Sequence, residues 1–325
     1  MSTDISVVVC AYDEARWSQI GETLKSLAAQ TIEPREVIVV VDHNERLLER
    51  VRAELGALAV ENRHAPGLCG TRNSAVEAAS GSVVAFLDDD AVASPEWLAL
   101  LQAHYANEHV AGVGGSAAPQ WATRRPAWFP PEFDWVIGCS YLGMPEQPQE
   151  VRNLFGCNMS FRRSLVQAAG GFRLGYSCDE TELCIRLTQC WPEKQLIYVP
   201  EASVAHYVPP SRARLRRFLS RCYFEGGSKA VVARLVGATE GLESERAYTL
   251  NVLPRGVGRG IADFLKGDPN GLARAGVILA GLLSTAAGYA TARVSMRRAA
   301  RKRGWSGELR RSGPAKPQLA QEPQH

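Results

Sequence analysis

The chain has 325 residues, 46% apolar, 22% charged and 8% aromatic, which is the make-up of a globular protein able to bury a sizeable core. Its net charge of +3 hides an asymmetry, because residues 293–316 hold nine Arg and Lys against Glu308 and the rest of the chain is therefore at about −5. A near-neutral to acidic body with a basic end argues against a nucleic-acid-binding body and leaves the end suited to anionic lipid. Eight cysteines (Cys10, Cys69, Cys139, Cys157, Cys178, Cys184, Cys190 and Cys222) form no C-x-x-C pair and no zinc spacing. The opening residues place Asp4 before a short strand, with no basic region leading into an apolar stretch, which reads as no signal peptide. Both observations point to free thiols in a reducing cytoplasm.

In chain order, the β-branched run Ile5–Cys10 predicts a buried parallel strand. Residues Ala15–Gln30 follow with Ile20, Leu24, Leu27 and Ala28 at helical spacing. A second strand, Val37–Val41, ends at Asp42; Arg46–Leu58 reads as a helix, Leu58–Asn62 as a short strand and Arg72–Ala79 as a helix. Val83–Leu87 is an apolar strand that runs straight into Asp88-Asp89-Asp90, and Pro95–Tyr105 is the next helix. Strands alternating with helices predict a doubly wound parallel sheet, whose ligands bind at the carboxyl ends of the strands. Asp13, Asp42 and Asp88–Asp90 all fall at such ends. Three adjacent carboxylates repel one another and lose hydration, so the run calls for a cation; oxygen ligands suit Mg²⁺ or Mn²⁺.

Residues Ala117–Gln149 are rich in proline and aromatics (Trp121, Trp128, Phe129, Phe133, Trp135, Tyr141), which fits a lid or binding loop for sugars or lipid acceptors, or a hydrophobic cluster beneath a loop. Gly156–Phe172 reads as a strand and then a helix stopped at Gly170-Gly171. A helix opens at Asp179, where the macrodipole favours a carboxylate. Leu196–Pro200 is a further strand, followed by Val204-Ala205-His206, and Arg212–Phe224 is a basic amphipathic helix bearing Arg212, Arg216, Arg217 and Arg221. Ala275–Ala292 carries no charge and approaches the length of a membrane span, though its many Gly and Ala also suit a buried or interfacial helix. With Arg293–Arg303 behind it, membrane contact through 275–303 is expected.

Taken in order, Ser6-Val7-Val8-Val9-Cys10-Ala11-Tyr12-Asp13-Glu14, Val39-Val40-Val41-Asp42, Gly70-Thr71-Arg72-Asn73, Phe86-Leu87-Asp88-Asp89-Asp90, Gly156-Cys157-Asn158-Met159 and Asp179-Glu180-Thr181-Glu182-Leu183-Cys184-Ile185-Arg186-Leu187 resemble the family 2 glycosyltransferases over residues 4–225. The resemblance implies a GT-A fold: an α/β, Rossmann-like, mostly parallel sheet flanked by helices, here with a C-terminal helical extension. It implies a catalytic domain over 1–228, with a nucleotide-binding half at 1–115 and an acceptor half at 116–228. A helical extension over 229–295, with a membrane-associated helix at 275–292, and a basic, disordered tail over 296–325 would complete the chain.

The implied activity is inverting transfer of a sugar from a nucleotide diphosphate to an acceptor hydroxyl, with Mg²⁺ or Mn²⁺. Asp90, Asp88 and His206 would hold the metal, and Asp88 also the ribose, with Asp89 beside them. Tyr12, Asp13, Glu14 and Asp42 would line the nucleotide pocket, Arg72 would hold the pyrophosphate or the aspartates, and Asn158 would contact donor sugar or acceptor. The base is expected at Glu180, with Asp179 as the alternative, because the family usually shows Glu-Asp where this chain has Asp-Glu. Glu182 and Arg186, four apart, read as an ion pair. UDP-, GDP- or dTDP-sugars are the expected donors, and a glycan, lipid-linked or small-molecule hydroxyl the acceptor. The expected location is the inner face of the cell membrane, peripheral or single-pass. Without the many spans of a processive synthase, single-sugar transfer is expected. Two other readings compete. A degenerate sugar-nucleotide binder draws on the reversed Asp179-Glu180, while a sugar-nucleotide nucleotidyltransferase would need a basic glycine-rich loop where Ala11-Tyr12-Asp13-Glu14 is acidic.

Overall fold

Val7, Val8 and Val9 are all buried, as in a strand covered on both faces. That strand is β1 (Ile5–Ala11) of a computed structural model that describes residues 4–173, 179–236 and 243–302. The chain continues through α1 (Trp17–Ala28), β2 (Glu36–Val41), α2 (Glu45–Glu54), β3 (Leu58–Glu61), α3 (Leu68–Ala78), β4 (Val83–Asp88), β5 (Ala91–Ala93), α4 (Trp97–His104) and β6 (Val110–Trp121). After β7 (Gln149–Glu150) and β8 (Asn158–Arg162) come α5 (Arg163–Ala168), α6 (Asp179–Cys190) and β9 (Gln195–Val208). The strand order is β3-β2-β1-β4-β8-β6-β9-β5, with β7 added against β9. The strands β3, β2, β1 and β4 are parallel, and β8 then enters antiparallel to both β4 and β6.

The chain folds into two compact units, the first running to Ala117 and resuming over Pro145–Ala205, the second holding Ala118–Met144 and the chain from His206. In the first unit the strand residues alternate between two cores. Val7, Val9, Val39 and Leu87 join Leu27 and Trp97 on one face, while Val8, Val40, Phe86 and Met159 join Leu183 and Phe172 on the other.

The second unit holds a 3-10 segment, Pro131–Ile137, followed by α7 (Leu215–Val236), α8 (Glu243–Ala247), a π turn over Tyr248–Val252, α9 (Leu253–Leu265) and α10 (Asn270–Lys302). Of the two roles open to the aromatic segment, it takes the hydrophobic cluster. Phe129 and Phe133 pack on Phe218 with ring centroids 5.3 and 5.2 Å apart, joined by Leu253 and Ile278, and Trp121, Trp128 and Trp135 border them. These rings form the core of the second unit.

Several elements escape the sequence pattern. β6 is rich in glycine, and its glycines are required: a Cβ on Gly112 would lie 2.7 Å from the Phe161 ring and one on Gly114 2.8 Å from the Asn158 carbonyl. The stretch after Pro200 is no separate segment, since β9 runs unbroken through His206 to Val208. Helix α10 continues through Lys302 into residues expected to be a tail; the tail beyond, like Cys178, lies outside the described residues.

Candidate active site

Strand β4 delivers Asp88 at its last position, and Asp89 and Asp90 make the turn into β5. Helix α1 straps that turn from behind, where the buried Thr23 hydroxyl donates to the carbonyls of Asp89 (3.3 Å) and Ala91 (2.8 Å). Arg16, at the start of α1, pairs with Asp89 and lies 3.2 Å from Asp90 Oδ2. Burial pushes the Asp89 carboxyl up to about 7, against the pull of Arg16. Its Oδ2 atom is buried with no hydrogen-bond partner. Asp89 and Asp90 thus share the single Arg16 guanidinium, while Asp88 feels the charge of Arg72. Asp88, Asp90 and His206 of β9 each offer a ligand atom, all within 4.8 Å of one another. Two carboxylate oxygens and an imidazole nitrogen are a donor set that fits a divalent cation such as Mn²⁺ or Mg²⁺. His206 is buried, with Cys139 Sγ 3.7 Å from its Nδ1. Gly138, at φ +83°, passes close enough that a Cβ there would sit 3.2 Å from its ring.

A second acidic group stands at the start of α6. Arg72, fully buried on α3, donates 2.8 Å to Asp179 Oδ2 and 3.1 Å to the Gly156 carbonyl, stacks over Phe172, and lies 3.9 Å from Glu180. Burial works against the Arg72 cation, yet Asp179 and Glu180 more than offset it and its pKa is held above the usual range. Asp179 is raised by burial and lowered more strongly by Arg72 and by hydrogen bonds from Glu180, Arg72 and Cys69, so it stays ionised. Glu180 goes the other way: burial, and then the Asp179 charge, push it up to about 8. Of the two, Asp179 is the more enclosed, its side chain 6% exposed against 26% for Glu180.

The residues expected around the nucleotide are spread along the ends of β1 and β2. Tyr12 is exposed, its ring beneath the Arg16 guanidinium at 5.2 Å. Asp13 caps the following turn by accepting from the Ala15 amide, and Glu14 pairs with Arg46 at 3.3 Å. Asp42 accepts from Asn62 Nδ2 (2.7 Å) and the Gly67 amide (2.8 Å), which fixes the loop leading into α3. Asn158, expected at the substrate, is completely buried. Its Oδ1 accepts from Trp97 Nε1, and its Nδ2 donates to the Ser116 and Ala202 carbonyls, each at 2.8 Å. Its amide is spent on joining α4, β6 and β9, because a buried primary amide must find partners for both its ends.

Glu182 and Arg186 form the expected ion pair, buried and two-pronged, at 2.9 and 2.7 Å. On α7, Arg216 and Arg217 are exposed and Arg221 faces Glu225 at 3.8 Å. Arg16, the counter-ion of the aspartate turn, is a site residue that sequence reasoning misses. Its position three residues beyond Asp13 is a usable signal only once the turn between β1 and α1 is known.

A mixed sheet that gathers aspartates at its strand ends, with a separate acidic pair at the head of α6, is an arrangement of GT-A type. The model of the family described as Glycosyl transferase family 2 matches residues 6–170, and the chain belongs to that family. It is 37% identical over 244 residues to the glucosyl-dolichyl phosphate glucuronosyltransferase of Haloferax volcanii, covering 70% of this chain and 77% of that one. It is 28% identical over 235 residues to the succinoglycan biosynthesis protein ExoM of Rhizobium meliloti, covering 68% of this chain and 72% of that protein. Among solved structures, a mannosyltransferase from Pyrobaculum calidifontis in complex with GDP-Man and Mn²⁺ shares the fold, with a TM-score of 0.55 at 19% identity over 88% of this chain and 87% of that one. The chain is thus a glycosyltransferase, and the nucleotidyltransferase alternative falls away.

Proposed function

We propose that this glycosyltransferase moves one sugar, with inversion, from a nucleotide-diphosphate sugar to a hydroxyl of a lipid-phosphate-linked sugar. The observation that carries this reading is the unequal pair at the head of α6. Two neighbouring carboxylates with separated proton affinities are how a site assigns acid and base roles. Glu180, at about 8, is close enough to neutrality to take a proton and release it again. It accepts the acceptor's hydroxyl proton as that oxygen attacks from the side opposite the leaving diphosphate. Asp179 stays charged against Arg72, and that charge keeps Glu180 basic.

Asp88, Asp90 and His206 would hold Mn²⁺ or Mg²⁺, which when bound neutralises charge on the leaving diphosphate. Asp88 would also meet the ribose, and Tyr12, Asp13, Glu14 and Asp42 would border the nucleotide. A lipid-linked acceptor is favoured by the Haloferax volcanii relative, whose name specifies glucosyl-dolichyl phosphate, and by the long apolar helix α10.

The test is a thermal-shift series with UDP-, GDP- and dTDP-sugars, each with Mn²⁺ and with EDTA, followed by nucleotide release in the presence of a polyprenyl-phosphate sugar. Stabilisation by one donor that EDTA removes, with turnover only when the lipid acceptor is added, is the expected result. Absence of any donor effect would sink the reading. Turnover on free sugars alone would keep the donor half and remove the lipid acceptor.

A further inference from the structure

Helix α10 presents three different faces within the second unit. Toward α9 it sets Gly271 and Ala275 close against Gly260. Toward α7 and the 3-10 segment it sets Gly281 against the Phe218 and Phe133 rings, while Ser284 donates to the Leu219 carbonyl and the Thr291 hydroxyl meets Tyr223, both at 2.8 Å. The third face packs on nothing among the described residues. It carries Leu272, Gly276, Leu279, Leu283, Ala286 and Ala290, spaced by three and four. Leu283 is 70% exposed, Leu279 51% and Leu272 47%. At 1.5 Å per residue this stripe runs roughly 27 Å. Arg293 and Arg297 continue it, and no Asp or Glu occurs anywhere from Asn270 to Lys302.

We infer that this face of α10 is a docking surface for an anionic lipid bilayer, on which the helix lies in the interface and does not cross. Charge chooses the occupant. A second copy of the same helix would bring more arginine and no acid, whereas anionic headgroups complement Arg293 and Arg297. The neighbouring helix argues against a span. α7 bears Arg217, Arg221, Glu225 and Lys229, with Lys229 paired to Glu225 at 3.3 Å and Glu245 at 2.8 Å, and a bundle carrying those charges does not enter hydrocarbon intact. An apolar stripe with a basic end on an otherwise packed helix is the form an interfacial anchor takes. This surface belongs to α10 alone, and its test does not depend on which donor or acceptor the enzyme uses.

The experiment is cosedimentation of the full chain with phosphatidylcholine vesicles, with and without phosphatidylglycerol, at low and high salt. The parent protein is expected to bind the phosphatidylglycerol vesicles, to lose most of that binding in high salt, and to be released by alkaline carbonate. Arg293→Gln with Arg297→Gln should weaken binding about fivefold per residue. Leu279→Glu with Leu283→Glu should weaken it at least about tenfold with the thermal midpoint unchanged, since both leucines are exposed. If the leucine variant loses stability, the arginine pair alone decides. Unchanged vesicle binding in the arginine variant would overturn the inference. So would retention through carbonate, which indicates a span, or a concentration-dependent dimer that the leucine variant abolishes, which indicates a second copy.

Discussion

The two acidic groups of the first unit face the same electrostatic difficulty and meet it differently. At the end of β4 two carboxylates, Asp89 and Asp90, share one half-buried guanidinium, Arg16, and Asp89 has a buried oxygen without a hydrogen-bond partner. At the head of α6 two carboxylates share a fully buried guanidinium, Arg72. The second group can reach balance by keeping one proton, and it places that proton on Glu180. In the first group Asp88 and Asp90 make with His206 a ligand set that suits a cation from outside. On the proposed function, negative charge settled by a proton would give a base, whereas negative charge settled by a metal would give a donor site.

The largest expected effect tests the proton-holding group. Glu180→Gln keeps the shape and removes the proposed base, so kcat should fall by about 10² to 10⁴, with donor-induced thermal stabilisation unchanged. Turnover within threefold of the parent would move the base to Asp179. The pH profile gives the same test in the parent enzyme. A base with pKa about 8 is ionised above that pH, so kcat/KM should rise through a limb near 8 and fall about tenfold per unit below it. The sign for stability is opposite. Glu180 is raised from 4.5, so its protonated form favours the fold, and that contribution is complete below 4.5 and lost as pH climbs through 8. A rising limb near 5 would mean that Glu180 is not held up in the way described.

Arg72→Met breaks the pair from the other side. It leaves Asp179 buried without its counter-charge, which typically costs about 3–5 kcal/mol, read as a lower midpoint in urea. Arg72 also lowers the Glu180 pKa, so the limb of the pH profile should move upward in whatever protein folds. A variant as stable as the parent would show that the pair contributes nothing to the fold.

These groups were legible in the sequence to different depths. Apolar strands ending in aspartate announced β1, β2 and β4 and the placing of Asp42 and Asp88–Asp90, because consecutive β-branched residues have few other uses. The pairing of β8 antiparallel to β4 was not visible, since strand direction depends on which partner offers hydrogen bonds and not on the composition of the strand. β6 hid behind its glycines, which suit a close backbone approach known only after folding. Asn158 looked like a substrate contact by its place in a motif, and only its three buried hydrogen bonds reveal a brace. Arg16 and Arg72 partner acids 73 and 107 residues away, and separations of that kind leave no local pattern to read.

The smallest effect sharpens the comparison most. Arg16 answers the charge of Asp89 and Asp90 and would compete for Asp90 with a metal bound there. If charge balance governs the turn, Arg16→Met leaves it more negative, and Mn²⁺ should bind about tenfold more tightly to the variant without donor present. If Arg16 instead serves to aim the two carboxylates, the same change should loosen the site and weaken Mn²⁺. Calorimetric titration of Mn²⁺ into the two proteins separates these, and Arg16→Lys refines the result. Lysine keeps the charge and loses the planar fork, so parent-like affinity in Arg16→Lys beside tighter binding in Arg16→Met identifies charge alone as the agent. Weakened binding in both would show that the aspartate turn depends on the geometry of a guanidinium, as the Asp179–Glu180 pair does on Arg72, and the contrast between the two groups would then lie only in how each disposes of its remaining charge.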